Sequence, residues 1–416
     1  KELKMENYIQ SKLKQLKFKT ITPIQEEIFK NFHKPFHLVG ISPTGTGKTH
    51  AYLLPILNQI NWNKNTIQAI VVVPTNELIF QILKMSKEVE PKSSQIKILY
   101  RGMDKQKILK TFEKKQPPLI ITTLDKLAQY DSLLKVIKFY QSSLLVLDEA
   151  DMLFDQNSLS LLDNLLIKWQ PKILLFSASI TENMTPFINK YFGKSLFLNV
   201  NDKQKLNLKY YALLSYKETR LNDLMHLMKN LNPYSALIFF STKQEQSKVY
   251  TSLKELKLNI LNFHSDLTIE KRKYFMNEIR KAKYQYILAS DLVSRGLDLD
   301  IEWVIHYDLP HKNLEFFQHR SGRTGRMGKE GKIIVFYDEK DKETLNKLKI
   351  KNNIIFKEIT LNKNGFSEKE KKEPRTTKKI QTFLTSPHKK NVPQIKKNYK
   401  IKKRKFDKNK KYAKNR

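Results

Sequence analysis

The chain has 416 residues, 40% of them apolar, and carries 77 Lys and Arg against 41 Asp and Glu, a formal charge of +36. That length accommodates two domains of ordinary size plus an appendage, and the apolar share supports true cores, which excludes global disorder. With no cysteine there are no disulfides or thiolate metal sites, and no zinc is expected. The longest apolar runs, AIVVV (69–73) and LLVL (144–147), suit buried strands and fall far short of a membrane span. KELKMENYIQSK shows no signal-peptide pattern, so a soluble, cytoplasmic protein is the expectation. The absence of an initial Met suggests that Lys1 lies inside a longer chain.

Five short apolar runs come first, HLVGI (37–41), AIVVV (69–73), LIITT (119–123), LLVLD (144–148) and ILLFS (173–177), each expected to be a buried strand. The stretches between them are long enough for crossover helices, as a parallel sheet requires. NVNDKQKLNLK (199–209) is polar and reads as a linker. A second series follows: ALIFF (236–240), LNILNFH (258–264), YILAS (286–290), WVIHYD (303–308) and KIIVFY (332–337). The expected fold class is α/β, with one parallel-sheet domain over 1–200, a linker over 201–209, a second domain over 210–362 and a tail from 363. Residues 367–416 hold 20 Lys and Arg against four acids, a low-complexity composition expected to be disordered when free and attractive to phosphate backbones.

SPTGTGKT (42–49) follows a predicted strand and precedes a helical stretch. Gly45 and Gly47 permit a tight loop whose N–H groups face phosphate oxygens. Lys48 would reach the β- and γ-phosphates, and the Thr49 hydroxyl would ligate Mg²⁺. A nucleoside triphosphate is the expected ligand, although Ser42 stands where the full pattern has glycine. In LLVLDEADMLFD an apolar strand ends in Asp148 and Glu149, which places both carboxylates at the sheet's carboxyl edge. Asp148 would hold Mg²⁺ through its waters and Glu149 would polarise an attacking water, with Asp151 close by. HRSGRTGRMG (319–328) spaces Arg320, Arg323 and Arg326 three apart, with few nearby acids to satisfy them. Their anionic partner is expected to come from elsewhere in the molecule or from a ligand.

These motifs, in this order, resemble the DEAD-box RNA helicases over roughly residues 1–345. The resemblance implies two tandem RecA-like domains, ATP and Mg²⁺ as cofactors, and a sequence-tolerant RNA partner. FKTITPIQ (18–25) resembles the adenine-reading segment of that family, with Phe18 and Gln25 at the base and an aromatic partner placed before Lys1. Ser42, Pro43, Thr44, Gly45, Thr46, Gly47, Lys48 and Thr49 would cradle the phosphates. SAS, with Ser177 and Ser179, is similar to the element coupling the acidic motif to the second domain. ILASDLVSRGLDLD (287–300) would supply Ser290 to an RNA phosphate, Arg295 as a bridge to the acidic motif and Asp298 to the ribose. Arg323 and Arg326 would reach the γ-phosphate only when the domains close, while His319 and Arg320 would tie the cleft walls together. GTGKTHAYLLPIL is most similar to bacterial cold-shock-type members, which act on ribosome assembly or mRNA, and a monomer is expected.

The RNA-facing elements depart further from the family. Pro74 and Thr75 are kept in PTNELIFQ, but Asn76 stands where the family has arginine. Thr123 and Lys126 survive in TLDKL, Gly102 is one glycine of a usual pair, and Arg272 is kept in HSDLTIEKR beside Ile269, where glutamine is common. Each loss removes a positioning contact to a sugar–phosphate backbone. The tail is expected to compensate by tethering RNA, with Phe383, Tyr399, Phe406 and Tyr412 available to stack on bases. A DNA-directed helicase and a non-enzymatic RNA clamp are the alternative readings of the same motifs.

Overall fold

The computed structural model describes residues 2–18, 20–131, 136–154, 156–201, 206–290, 301–310, 314–325, 329–363 and 365–369. Its first lobe is a seven-stranded sheet built from β1 (His37–Ile41), β2 (Ala69–Val72), β3 (Lys97–Leu99), β4 (Leu119–Thr122), β5 (Leu144–Leu147), β6 (Lys172–Ser177) and β7 (Ser195–Asn199). The order is β3-β4-β2-β5-β6-β1-β7 and every pairing is parallel. β2, β4 and β5 are buried along their full length, which is why they read as unbroken apolar runs and not as alternations. Two apolar clusters, one on each face, hold the crossover helices against the sheet.

The second lobe has eight strands: β8 (Leu208–Leu214), β9 (Ala236–Phe240), β10 (Ile260–Phe263), β11 (Tyr286–Ser290), β12 (Trp303–His306), β13 (Gly331–Tyr337), β14 (Phe356–Asn362) and β15 (Gly365–Glu368). Their order is β10-β11-β9-β12-β13-β8-β14-β15, parallel except for the β14–β15 hairpin. This hairpin carries ordered sheet past residue 362, with Phe366 packed against Tyr211 and Trp303. All ten expected strands are present within two residues of their expected ends. The polar stretch 199–209 is shorter as a connection than its composition suggests, because β7 ends at Asn199 and β8 begins at Leu208.

Parallel pairing places every carboxyl end of a sheet on one edge. In the first lobe Ile41 of β1 is in register with Ser177 of β6, and Leu147 of β5 with Leu175. The phosphate loop, the DEAD tetrad and the SAS element therefore leave the sheet side by side. In the second lobe the loops after β9 and β12 share such an edge, and the helix Glu315–Ser321 is pinned across it. Arg320 donates to the Asp308 carbonyl at 2.7 Å and to Ser241 Oγ at 3.2 Å, and its guanidinium lies over the Phe239 ring. It is 1% exposed, so an anchor and not a free cation sets where the following arginine loop points.

His306, on β12, is fully buried against Phe317 with ring centroids 4.6 Å apart. Burial, reinforced by the Arg320 charge, holds its imidazole neutral well below the usual histidine range. The unfolded chain takes up a proton there as pH falls through about 6.5 and the folded chain does not, so this site withdraws stability on the acid side. His306→Leu is therefore expected to raise the melting temperature more at about pH 5 than at about pH 8. A gain equal at both pH values would show that His306 protonates in place.

Candidate functional site

The phosphate loop is shaped by two left-handed glycines, Gly45 at φ 81° and Gly47 at φ 92°. A Cβ at Gly47 would also come within 2.6 Å of Gln25 Nε2, so backbone conformation and packing both require glycine there. Ser42 N donates to the Ser177 carbonyl at 3.1 Å, which fastens the loop to the neighbouring strand. The Ser42 and Thr46 hydroxyls hydrogen-bond each other, and Thr46 also donates to the Pro43 carbonyl at 2.6 Å. Lys48 donates to the carbonyls of Ser42 and Pro43 at 2.7 and 2.9 Å, folding its ammonium back over the loop. Burial lowers its pKa, Asp148, Glu149 and Asp151 oppose that shift, and Arg323 adds to it from the other lobe.

Asp148 is buried at the end of β5. Its Oδ1 accepts from Glu149 N at 2.9 Å, and its Oδ2 accepts from Tyr52 Oη at 2.7 Å and Thr49 Oγ1 at 3.5 Å. Burial, then the adjacent Glu149 charge, pushes its carboxyl up to about 6. Glu149 occupies the left-handed region at φ 50°, ψ 51°, a conformation that costs a non-glycine residue about 1–3 kcal/mol. Its Oε2 is buried with no hydrogen-bond partner among the described residues. Two crowded carboxylates beside a threonine hydroxyl suit a hard cation. Mg²⁺ takes one or two carboxylates and completes its shell with water and phosphate oxygens, so Asp148 and Thr49 fit it without a larger ligand cluster. Elsewhere, His33 and His37 stand four apart, a spacing open to metal ligation, but His37 Nδ1 accepts from Ile173 N at 2.9 Å.

Gln25 is 2% exposed and both ends of its amide are engaged. Oε1 accepts from Thr22 N at 3.0 Å in a capping box, and Nε2 donates to the Gly47 carbonyl at 3.3 Å. Its side chain thus connects the FKTITPIQ segment to the phosphate loop. Phe18 lies edge-on to His50 at 5.0 Å, next to the helix Lys48–Gln59.

The two lobes meet at the DEAD tetrad. His319 Nε2 and Asp151 Oδ2 are 2.9 Å apart, both side chains buried. Burial would raise the Asp151 carboxyl, but the His319 charge and hydrogen bond, with Lys48 and Ser177, hold it low. Asp151 N donates to Ser177 Oγ at 3.2 Å and Ser177 Oγ donates to the Ser179 carbonyl at 2.7 Å, so the SAS element buttresses that contact. A Cβ on Gly322 would lie 2.8 Å from Thr44 Cβ, which places the arginine loop directly on the phosphate loop. Arg323 is buried, with Nε donating to the His319 carbonyl at 3.2 Å. Of the expected pair His319 and Arg320, His319 reaches across. Arg320 instead anchors its own lobe, where it ion-pairs with Asp308 3.7 Å away. Arg295, Asp298 and Arg326 lie outside the described residues, as does the chain from 370, with Phe383, Tyr399, Phe406 and Tyr412.

The expected RNA-facing residues sit at the carboxyl edges of the two sheets, all but Ser290 and Arg272 on the first lobe's. Pro74 and Thr75 follow β2, Gly102 (φ 100°) follows β3, Thr123 and Lys126 follow β4, and Ser290 ends β11. Thr75 accepts from Leu78 N at 3.4 Å, capping the helix Asn76–Val89. Arg272, expected on an RNA phosphate, ion-pairs across the lobes with Glu77 and donates to the Ser265 carbonyl at 2.6 Å. Lys273 lies 4.3 Å over the Phe80 ring, and a Cβ on Gly102 would be 3.9 Å from Ile269. The family departures Asn76 and Ile269 thus border a cross-lobe contact. In a double-mutant cycle, Glu77→Gln and Arg272→Gln are expected to couple by about 1 kcal/mol in the RNA concentration giving half-maximal ATP turnover. Additive effects would mean that the pair does not support closure.

Tyr52 and Glu77 were not singled out by sequence reasoning. Tyr52 hides in the apolar run AYLLPIL, where only its position four residues after Lys48 hints that it faces the site. Glu77 has no distinguishing local pattern at all.

Residues 22–187 match a family model described as DEAD/DEAH box helicase, and residues 217–328 match one described as helicase conserved C-terminal domain. The DEAD-box ATP-dependent RNA helicase CshB of Bacillus subtilis (strain 168) is 34% identical over 423 residues, covering 95% of each chain. CshB of Bacillus cereus is 33% identical over 379 residues, covering 88% of this chain and 86% of its own. Among solved structures, Mss116p bound to ssRNA and AMP-PNP aligns at a TM-score of 0.76 with 25% identity, covering 84% of this chain and 77% of that one. Dbp5 of S. cerevisiae bound to RNA and ADP BeF3 aligns at 0.74 with 23% identity, covering 84% and 93%, a likeness of fold alone.

Proposed function

The chain belongs to the DEAD-box family of ATP-dependent RNA helicases, and from that premise we propose that its cleft hydrolyses ATP on RNA-driven closure and remodels short RNA duplexes. The observation that carries this reading is the meeting of two half-sites. The acids of the first lobe face the histidine and arginine loop of the second, with His319 on Asp151 and Gly322 on Thr44.

In this reading the phosphate loop and Lys48 seat the triphosphate, and Asp148 with Thr49 holds Mg²⁺. When bound, the cation neutralises charge on the phosphate oxygens. Glu149 orients a water and takes its proton, and Arg323, with Arg326, stabilises charge on the transferring phosphoryl group. Gln25 and Phe18 select the base, and Asp298 takes the ribose. Pro74, Thr75, Gly102, Thr123, Lys126 and Ser290 hold an RNA backbone through phosphates and 2′-hydroxyls, without reading sequence. His319, Asp151, Ser177, Ser179 and Arg295 make closure and RNA occupancy interdependent.

Separating about ten base pairs costs roughly 14 kcal/mol at about 1.4 kcal/mol per step, so one closure on a few nucleotides opens short helices and not long ones. Local remodelling of RNA or ribonucleoprotein follows, and cold adaptation, ribosome assembly or mRNA turnover is the proposed setting. Among the described residues no helix is long and apolar enough to cross a membrane, and we place the protein in the cytoplasm as a monomer. Phosphate release should be strongly stimulated by RNA, and not by DNA. Stimulation by both would favour a DNA-directed helicase, and no release with either would favour a clamp. Removing residues 370–416, which spares the β14–β15 hairpin, is expected to raise the RNA concentration needed for half-maximal turnover and to flatten its salt dependence, leaving saturated turnover intact. An unchanged salt slope would discard the tether.

A further inference from the structure

On the outer edge of the first lobe, away from the cleft, the segment 91–118 carries eight Lys and Arg against two acids. Of those two, Asp104 is occupied as a helix cap, accepting from Gln106 N at 2.8 Å and Lys107 N at 3.2 Å. The helix Lys105–Lys114 buries Ile108 and Phe112 against the sheet. Its opposite side aligns Lys107, Lys110 and Lys114 at i, i+3 and i+7, all exposed. Like charges at these spacings repel, and among the described residues no carboxylate pairs with Lys97, Lys107, Lys110 or Lys114. The stripe ends in a hollow of about 360 Å³ at the amino ends of β3 and β4, walled by Lys97, Lys110, Lys114, Lys115 and Gln116.

Two features of this hollow favour a fixed site over a merely solvated face. Gln116 is 5% exposed and locked, donating to the carbonyls of Phe112 and Val136 at 2.6 and 2.8 Å and accepting from Lys138 N at 3.2 Å. Lys115 is held by Gln95 at 3.1 Å. The helix also starts three residues after Gly102, on the sheet edge that carries the expected RNA contacts, and its ten residues run about 15 Å back along the lobe to the hollow. β3 is the outermost strand, so nothing in the sheet stands between that edge and the lysines.

We propose that this lysine stripe and hollow form a second RNA site, which takes the backbone phosphates of a strand that has left the cleft past Gly102. The inference rests on the RNA-dependent reading above. It concerns RNA flanking the cleft, where cations without hydrogen-bond specificity attract backbone and ignore sequence. Such a site keeps a flanking segment near the lobe while the cleft opens and closes, which suits a remodeller whose cleft grips few nucleotides.

The test uses the full chain with Lys97, Lys110 and Lys114 each changed to Gln, substitutions at exposed or half-exposed positions that keep helix propensity in the helix. Two RNA probes are compared, a short single strand that fills only the cleft and the same strand lengthened at both ends by unstructured nucleotides. Turnover stimulated by the short strand should not change. Affinity for the lengthened strand should fall by about tenfold or more at low salt, with a log–log salt slope shallower by about 2 for three phosphates at about 0.7 each. Arginine at the three positions should restore both. Equal affinity and slope for the lengthened strand would overturn the proposal. So would a loss confined to polyglutamate binding, which would assign the surface to an acidic protein. Failure of the short strand to stimulate the unaltered chain would instead remove the RNA-dependent reading itself.

Discussion

Replacing Glu149 with Gln is expected to lower RNA-stimulated ATP turnover by about 10²–10⁴-fold while leaving ATP and RNA binding close to those of the unaltered chain. The amide has the same shape and can occupy the same left-handed backbone, but it cannot take a proton from water. Asp148 is a poor substitute as a base. Its two oxygens are committed to Glu149 N, Tyr52 and Thr49, and it is the residue placed to face a cation. Glu149 has a buried oxygen with no partner among the described residues and a strained, left-handed backbone. Strain of that kind persists only where surrounding structure enforces it. Single-turnover hydrolysis alongside equilibrium binding of RNA and ATP separates the chemical step from assembly of the complex. Turnover within about tenfold of the unaltered chain would mean that the proton leaves by another route.

Much of this arrangement was legible in the chain because parallel sheets bury whole strands, and whole buried strands appear as apolar runs. HLVGI, ALIFF and YILAS end within the structure at the residues expected of them. Once the strands are parallel, the motifs that follow them must share an edge, so the chain alone groups Lys48, Asp148 and Ser177. Five strands escaped notice, and for four of them burial does not impose the pattern. β3 has three residues at a sheet edge, β7 leaves Phe197 half exposed, and β14 and β15 alternate as a partly solvated hairpin. The fifth, β8, is an interior strand buried only over Tyr211–Leu213, too short a run to stand out. Residue roles were harder, because charge says what a side chain can bind and not what folds beside it. Arg320 reads like its neighbours in HRSGRTGR, yet it is one of the largest fully buried side chains in the molecule. Arg272 keeps its family position but meets Glu77, 195 residues away. Tyr52 looks like core and turns out to hold Asp148.

The arginine loop should be the most sensitive part of the second lobe. Arg323→Ala is expected to reduce turnover by about 10³-fold or more, as for other arginines that stabilise charge on a transferring phosphoryl group, and Arg323→Lys should recover little because an ammonium lacks the planar fork. Gly322→Ala tests the same geometry without touching charge. Gly322 has φ −69°, so alanine meets no backbone objection, and its Cβ would have 3.3 Å to the Gln318 carbonyl within its own helix. The severe contact is across the cleft, 2.8 Å to Thr44 Cβ and 3.4 Å to Thr44 Cγ2. A backbone-attached carbon at that distance cannot swing aside as a long side chain would, so the lobes must part by several tenths of an ångström, at about 1–3 kcal/mol against closure. The second lobe should melt as before and ATP should bind unchanged without RNA, while RNA-stimulated turnover falls by about tenfold or more. Because Arg323 follows directly and Asp151 is held by His319 one turn earlier, this displacement withdraws both from the acidic wall together. Normal turnover in Gly322→Ala would mean that the arginine loop does not approach Thr44 this closely when the bond to the γ-phosphate breaks.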